Sequence, residues 1–156
     1  MDIRPLTDRY AVSPQIDPED LPAIAAAGFT TLINNRPCEE IPPSHQKDVM
    51  AAAAEAAGLT YVVLPIVHSA INADLAKAQA DACSAADGPV LAYCASGTRC
   101  TIVWAMAQAM GETLGQAVSD VSAPDVDAIV STAANQGYDL GQMLTQLKAL
   151  AEKQPN

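Results

Sequence analysis

Six consecutive residues, Cys94-Ala95-Ser96-Gly97-Thr98-Arg99, bring a nucleophile, a flexible backbone joint and a fixed cation into one short loop. A cysteine reacts as its thiolate, which persists at neutral pH only where amide dipoles or positive charge stabilise it. Arg99 offers a planar fork that matches two oxygens of a tetrahedral anion. Gly97 permits a positive φ, which turns successive N–H groups toward the inside of the loop. A lone cysteine is most often a small buried hydrophobe. Here the glycine, the arginine and a following helix favour chemistry instead. Cys94 is the candidate nucleophile, and Ala95, Ser96, Gly97, Thr98 and Arg99 form the candidate anion cradle.

Such a loop needs a strand to deliver it and a helix to follow it. Residues 90–93 read as a buried four-residue strand, and residues 99–110 as a helix. The loop between them would lie outside the carboxyl end of a parallel strand, where open α/β sheets bind ligands. The rest of the chain alternates in the same way. Strands are predicted at 4–6, 10–13, 30–34 and 60–64, with a turn at Thr7-Asp8-Arg9. Helices are predicted from Asp17-Pro18 to Gly28, over 46–57 up to Gly58, over 73–86, and over 114–121, 125–135 and 140–152. Strands alternating with helices predict an α/β fold with a central, mostly parallel sheet flanked by helices. Residues 1–156 read as a single domain.

Composition narrows the partners. Eight Lys and Arg against eighteen Asp and Glu leave a net charge of −10, which disfavours a nucleic-acid binder. A small anionic molecule remains compatible, because a local cradle acts at short range. No apolar run approaches the ~18–20 residues of a membrane span. The opening Met1-Asp2-Ile3-Arg4-Pro5 lacks the layout of a secretory signal, so a cytoplasmic location is expected. Cys38, Cys83, Cys94 and Cys100 need not pair there. No ligand spacing suggests a metal, no cofactor is expected, and the oligomeric state is left open.

The segments Val12-Ser13-Pro14-Gln15-Ile16, Ile33-Asn34-Asn35-Arg36-Pro37 and Tyr93-Cys94-Ala95-Ser96-Gly97-Thr98-Arg99 resemble the bacterial beta-lactamase-hydrolase-like phosphatase-like family. Its members are also described as candidate sulfurtransferases. The resemblance extends to about Leu140. It implies a protein-tyrosine or dual-specificity-phosphatase-like fold, with Cys94 as nucleophile and Arg99 as anion ligand.

Three departures follow. Four residues separate Cys94 from Arg99, where the phosphatase signature has five. The shorter loop is similar to that of rhodaneses and suggests a narrower bowl, better suited to a sulfane sulfur. Ala95 stands where relatives often carry Arg. Cys100 stands where Ser or Thr is usual. Cys100 is expected to pack toward the sheet, and a reversible Cys94–Cys100 disulfide is the competing idea.

Phosphoester cleavage needs an acid for the leaving oxygen. In the resembling phosphatases an Asp follows the preceding strand; here His68 occupies that neighbourhood, while Asp74 fits the first turn of a helix. His68 reads equally well as a hydrogen-bonded surface residue. Arg36 is a candidate source of positive potential at the mouth, with Asn34 and Asn35 bracing their loop. Cys38 has no identifiable role, and His45 and Lys47 read as solvated residues at a helix start. Sulfur transfer through a Cys94 persulfide leads these expectations. Hydrolysis of phosphate monoesters through a phosphocysteine comes second, and a non-catalytic oxyanion- or partner-binding domain third.

Overall fold

The structure is a computed structural model that describes residues 1–112 and 125–152. Strands at Arg4–Pro5 (β1), Tyr10–Ser13 (β2), Thr31–Asn34 (β3), Thr60–Val63 (β4) and Val90–Tyr93 (β5) form one sheet in the order β1-β2-β5-β3-β4. Only β1 runs antiparallel to its neighbour. The mostly parallel α/β expectation therefore holds. β5 lies at the centre and is fully buried, as a strand covered on both faces should be.

Alternation along the strands separates two cores. Tyr10, Val12, Ile33, Val90 and Ala92 point to one side. Helices at Ala73–Ala85 (α3), Thr98–Ala109 (α4), Val126–Asn135 (α5) and Leu144–Glu152 (α6) cover that side. The other side carries Ala11, Leu32, Leu91 and Tyr93. It packs on Leu21 and Ile24 of Leu21–Ala26 (α1) and on Met50 and Ala54 of Lys47–Ala56 (α2). α4 is the innermost helix and buries nine of its twelve residues. Its apolar surface on all sides is what a helix enclosed by others requires.

The helix predicted from Asp17 is interrupted. Pro18–Asp20 forms a 3-10 turn before α1 begins. Pro22 has no N–H to donate back to Pro18, so the ladder does not run through from Asp17, and α1 starts at Leu21 with Pro22 in its first turn. The predicted 140–152 helix likewise opens as a 3-10 turn at Gly141–Met143. Asn72 Oδ1 accepts from Leu75 N at 3.0 Å and caps α3; Asp125 Oδ1 caps α5 through Ala128 N at 3.1 Å. The helix predicted at 114–121 lies outside the described residues. Among those described, no helix is long and apolar enough to cross a membrane. The four parallel strands end on the same side of the sheet, so the segments after β2, β3, β4 and β5 share one edge.

Candidate active site

β5 ends at Tyr93, and the chain turns at once into the ring that starts at Cys94. Two bonds tie the start of the ring to the exit of β2. Cys94 N donates to Ser13 O, and Gln15 N donates to Ala95 O, both at 3.3 Å. Gly97 has φ of 91° and precedes the first residue of α4. Its N–H donates to Cys94 Sγ at 3.1 Å. The amides of Ser96, Arg99 and Cys100 add to the stabilisation of the same sulfur. Outward-facing groups are held separately. Thr101 Oγ1 donates to Gly97 O, Tyr138 OH donates to Ser96 O, and Ser96 Oγ donates to Thr98 Oγ1, all within 2.8–2.9 Å.

These donors decide the state of Cys94. Its side chain is buried, which alone would favour the neutral thiol. Hydrogen bonding prevails, first from the Cys100 thiol and then from the ring amides, and holds Cys94 down to about 5. Cys94 is therefore a thiolate at neutral pH. Cys100 moves the other way: burial and the neighbouring Cys94 sulfur push its thiol well up, so it remains a neutral donor. Cys100 does pack toward the sheet, as expected, and neither cysteine is in a disulfide. It contributes more than bulk, because its thiol helps hold Cys94 in the ionised form.

Arg99 is only 2% exposed. Its Nη1 donates to Glu40 Oε2 and to Ile66 O, and its Nη2 to Glu40 Oε1, each at 2.8 Å. This two-toothed pairing fixes the guanidinium plane. The Arg99 side chain also faces the Cys94 sulfur, and its buried Nε has no acceptor among the described residues. That leaves Arg99 one donor for an incoming oxygen. The Arg99 bond holds Glu40 below the usual carboxylate range.

Sequence reasoning missed Glu40. The available signal was the acidic pair Glu39-Glu40 behind Arg36-Pro37, together with the rule that a buried arginine needs a carboxylate partner.

Arg36 is placed differently from the expectation. Each of its side-chain nitrogens already meets a protein acceptor: Nη1 meets Gln15 Oε1 at 3.0 Å, Nη2 meets Glu40 O at 3.0 Å, and Nε meets Glu40 Oε1 at 3.3 Å. It braces Glu40 and the exit of β2 and is not aimed freely at the mouth. Asn34 and Asn35 brace their loop as predicted. Asn34 Oδ1 accepts from Arg36 N at 2.9 Å, and Asn35 Nδ2 donates to Leu64 O at 2.8 Å.

His68 is exposed on a 3-10 turn, His68–Ala70. That turn begins two residues after Ile66, whose carbonyl meets Arg99. Ala95 and Ser96 are exposed at the mouth. His45 is not simply solvated: it bonds Asp17 Oδ1 at 2.6 Å and Ser44 Oγ at 2.7 Å. Lys47 is exposed, and Cys38 is half-buried.

A buried thiolate ringed by amides and faced by a clamped arginine can attack an electrophilic centre bearing oxyanions, and can stabilise the added charge. Comparison with known proteins agrees with this class. A Beta-lactamase hydrolase-like protein of Xylella fastidiosa is 29% identical over 99% of the chain, which spans about a third of that relative's length (34%). A solved candidate phosphatase of Neisseria meningitidis Z2491 is 28% identical, with a TM-score of 0.78 over 96% of this chain and 99% of that one. P. aeruginosa TpbA, solved in a substituted form with phosphotyrosine, shares the fold at 15% identity, with a TM-score of 0.63 over 98% of this chain and 84% of that one. Residues 2–111 match the family described as Beta-lactamase hydrolase-like protein, phosphatase-like domain, so the chain belongs to that family.

Proposed function

We propose that the chain hydrolyses phosphate monoesters through a phosphocysteine. One observation carries this: the Gly97 N–H donates to the Cys94 sulfur at 3.1 Å, and hydrogen bonding from the Cys100 thiol and the ring amides lowers that thiol to about 5. The Cys94 thiolate attacks phosphorus. The S–P bond forms as the ester P–O bond breaks, and His68 gives a proton to the leaving oxygen. Water then attacks the same phosphorus, the S–P bond breaks, and the water's proton goes to His68. Phosphate leaves and the thiolate is restored. Through both steps the ring amides and Arg99 hold the equatorial oxygens.

The family and its solved relatives support this order of the readings. The sulfur-transfer expectation, which led on sequence alone, finds no support there and becomes second. One observation still favours it, the four-residue interval between Cys94 and Arg99. The test measures release of nitrophenol from an aryl phosphate alongside thiocyanate formation from thiosulfate and cyanide. Phosphatase turnover that Cys94→Ser abolishes, with a trapped phosphocysteine at Cys94, is the expected result. Thiocyanate formation without phosphatase turnover overturns it.

A further inference from the structure

The glycine that shapes the ring also leaves it easy to invert. The carbonyl of Ser96 and the N–H of Gly97 belong to one planar peptide unit, so they must point in opposite directions. In the structure the N–H meets Cys94 Sγ at 3.1 Å. Rotating that unit by half a turn would aim the carbonyl oxygen at the sulfur and replace a donor with a repelling dipole. Gly97 has no side chain to resist such a flip, because glycine accepts either sign of φ. Something outside the ring must hold the unit.

Among the described residues, one group holds the outer end of that peptide. Tyr138 OH donates to Ser96 O at 2.9 Å. A Cβ added at Gly97 would stand 2.1 Å from that hydroxyl oxygen, so the approach depends on the glycine. Tyr138 is itself fixed. It is 5% exposed, its N–H bonds Ala133 O at 2.9 Å, and the Arg4 guanidinium lies 5.1 Å from its ring centre. Arg4 Nη1 also donates to Gln136 O at 3.1 Å, which ties β1 to the same turn. Tyr138 lies beyond residues 2–111, where the family match ends.

We infer that Tyr138 is a positioning residue for the Cys94 nucleophile: its hydroxyl locks the Ser96–Gly97 peptide with the N–H on the sulfur. It acts through the peptide and does not touch the sulfur. A hydrogen bond to the carbonyl also polarises the unit and strengthens its N–H as a donor. This inference rests on the proposed role of Cys94 as nucleophile.

The test is the pH dependence of Cys94 alkylation by iodoacetamide, with the modified peptide identified by mass spectrometry, in the parent and in Tyr138→Phe. The substitution keeps the ring and its contact with Arg4. The midpoint for Tyr138→Phe should rise by roughly half a unit to one unit, a threefold to tenfold loss of thiolate on the acid side. An unchanged midpoint overturns the inference while leaving the nucleophile assignment in place. A parent that alkylates with an ordinary thiol midpoint overturns both. If Tyr138→Phe does not fold, Arg4→Gln serves in its place. A smaller rise is then expected, and no rise overturns the inference.

Discussion

Two buried polar clusters meet at the start of α4, and they are built on opposite principles. In the first, Asn35, Gln79 and Tyr10 form a closed circuit. Asn35 and Gln79 exchange amide bonds at 2.8 and 2.9 Å, Gln79 Nε2 reaches Tyr10 OH at 3.2 Å, and Tyr10 OH donates to Cys100 O at 2.8 Å. Donors there end on acceptors, as buried polar groups should. In the second, around Cys94, several donors serve one sulfur and the Arg99 Nε has no partner among the described residues. The comparison teaches that buried polarity does not mark a reactive site. Convergence of donors on one atom does. The first cluster still serves the second, since Tyr10 holds the Cys100 carbonyl and with it the turn that carries the thiol.

Substitutions at three positions test the contrast. Arg99→Lys should lower kcat/KM by roughly a hundredfold to a thousandfold, because an ammonium cannot reproduce the planar fork between Glu40 and the anion. Steady-state kinetics read this, and a loss below tenfold would place the charge stabilisation in the amides alone.

Gln79→Leu should act on the closed circuit only. Leaving the Asn35 amide without its partner should cost about 1–3 kcal/mol of stability in urea unfolding, with the alkylation midpoint of Cys94 unmoved. A moved midpoint would make the two clusters one unit.

Cys100→Ala should raise the Cys94 midpoint by about one unit, and Cys100→Ser should restore most of it. The sign follows from the folded thiol lying near 5 against a reference of 9.0. Thiolate stabilisation is fully present above the reference value and is lost as pH falls through 5. Removing the Cys100 donor therefore weakens activity first on the acid side of the profile.

Strand order could not be read from the chain, but the strand-loop-helix unit around Cys94 could. Such a unit is local: Val90–Tyr93 is apolar, Gly97 supplies the turn, and α4 starts within one residue of the prediction. The ring chemistry was legible for the same reason. Glu40 and Tyr138 were not legible, being 59 and 42 residues from their partners Arg99 and Ser96. No spacing rule reaches that far. Arg36 shows the converse failure. Its type suggested an anion ligand, but whether an arginine is free depends on neighbours that only the fold assembles. The contribution of Cys100 was underestimated because sulfur-to-sulfur hydrogen bonding depends on side-chain direction, which the sequence leaves open.

The parallel run of β2, β3, β4 and β5 gathers Ser13, Glu40, Ile66 and the ring itself at one rim of the sheet. The opposite rim, formed by Thr7-Asp8-Arg9, Gly28, Gly58 and Gly88, carries none of them. That far rim is where a fluorophore, an affinity handle or a grafted peptide could be attached without reaching the reactive sulfur.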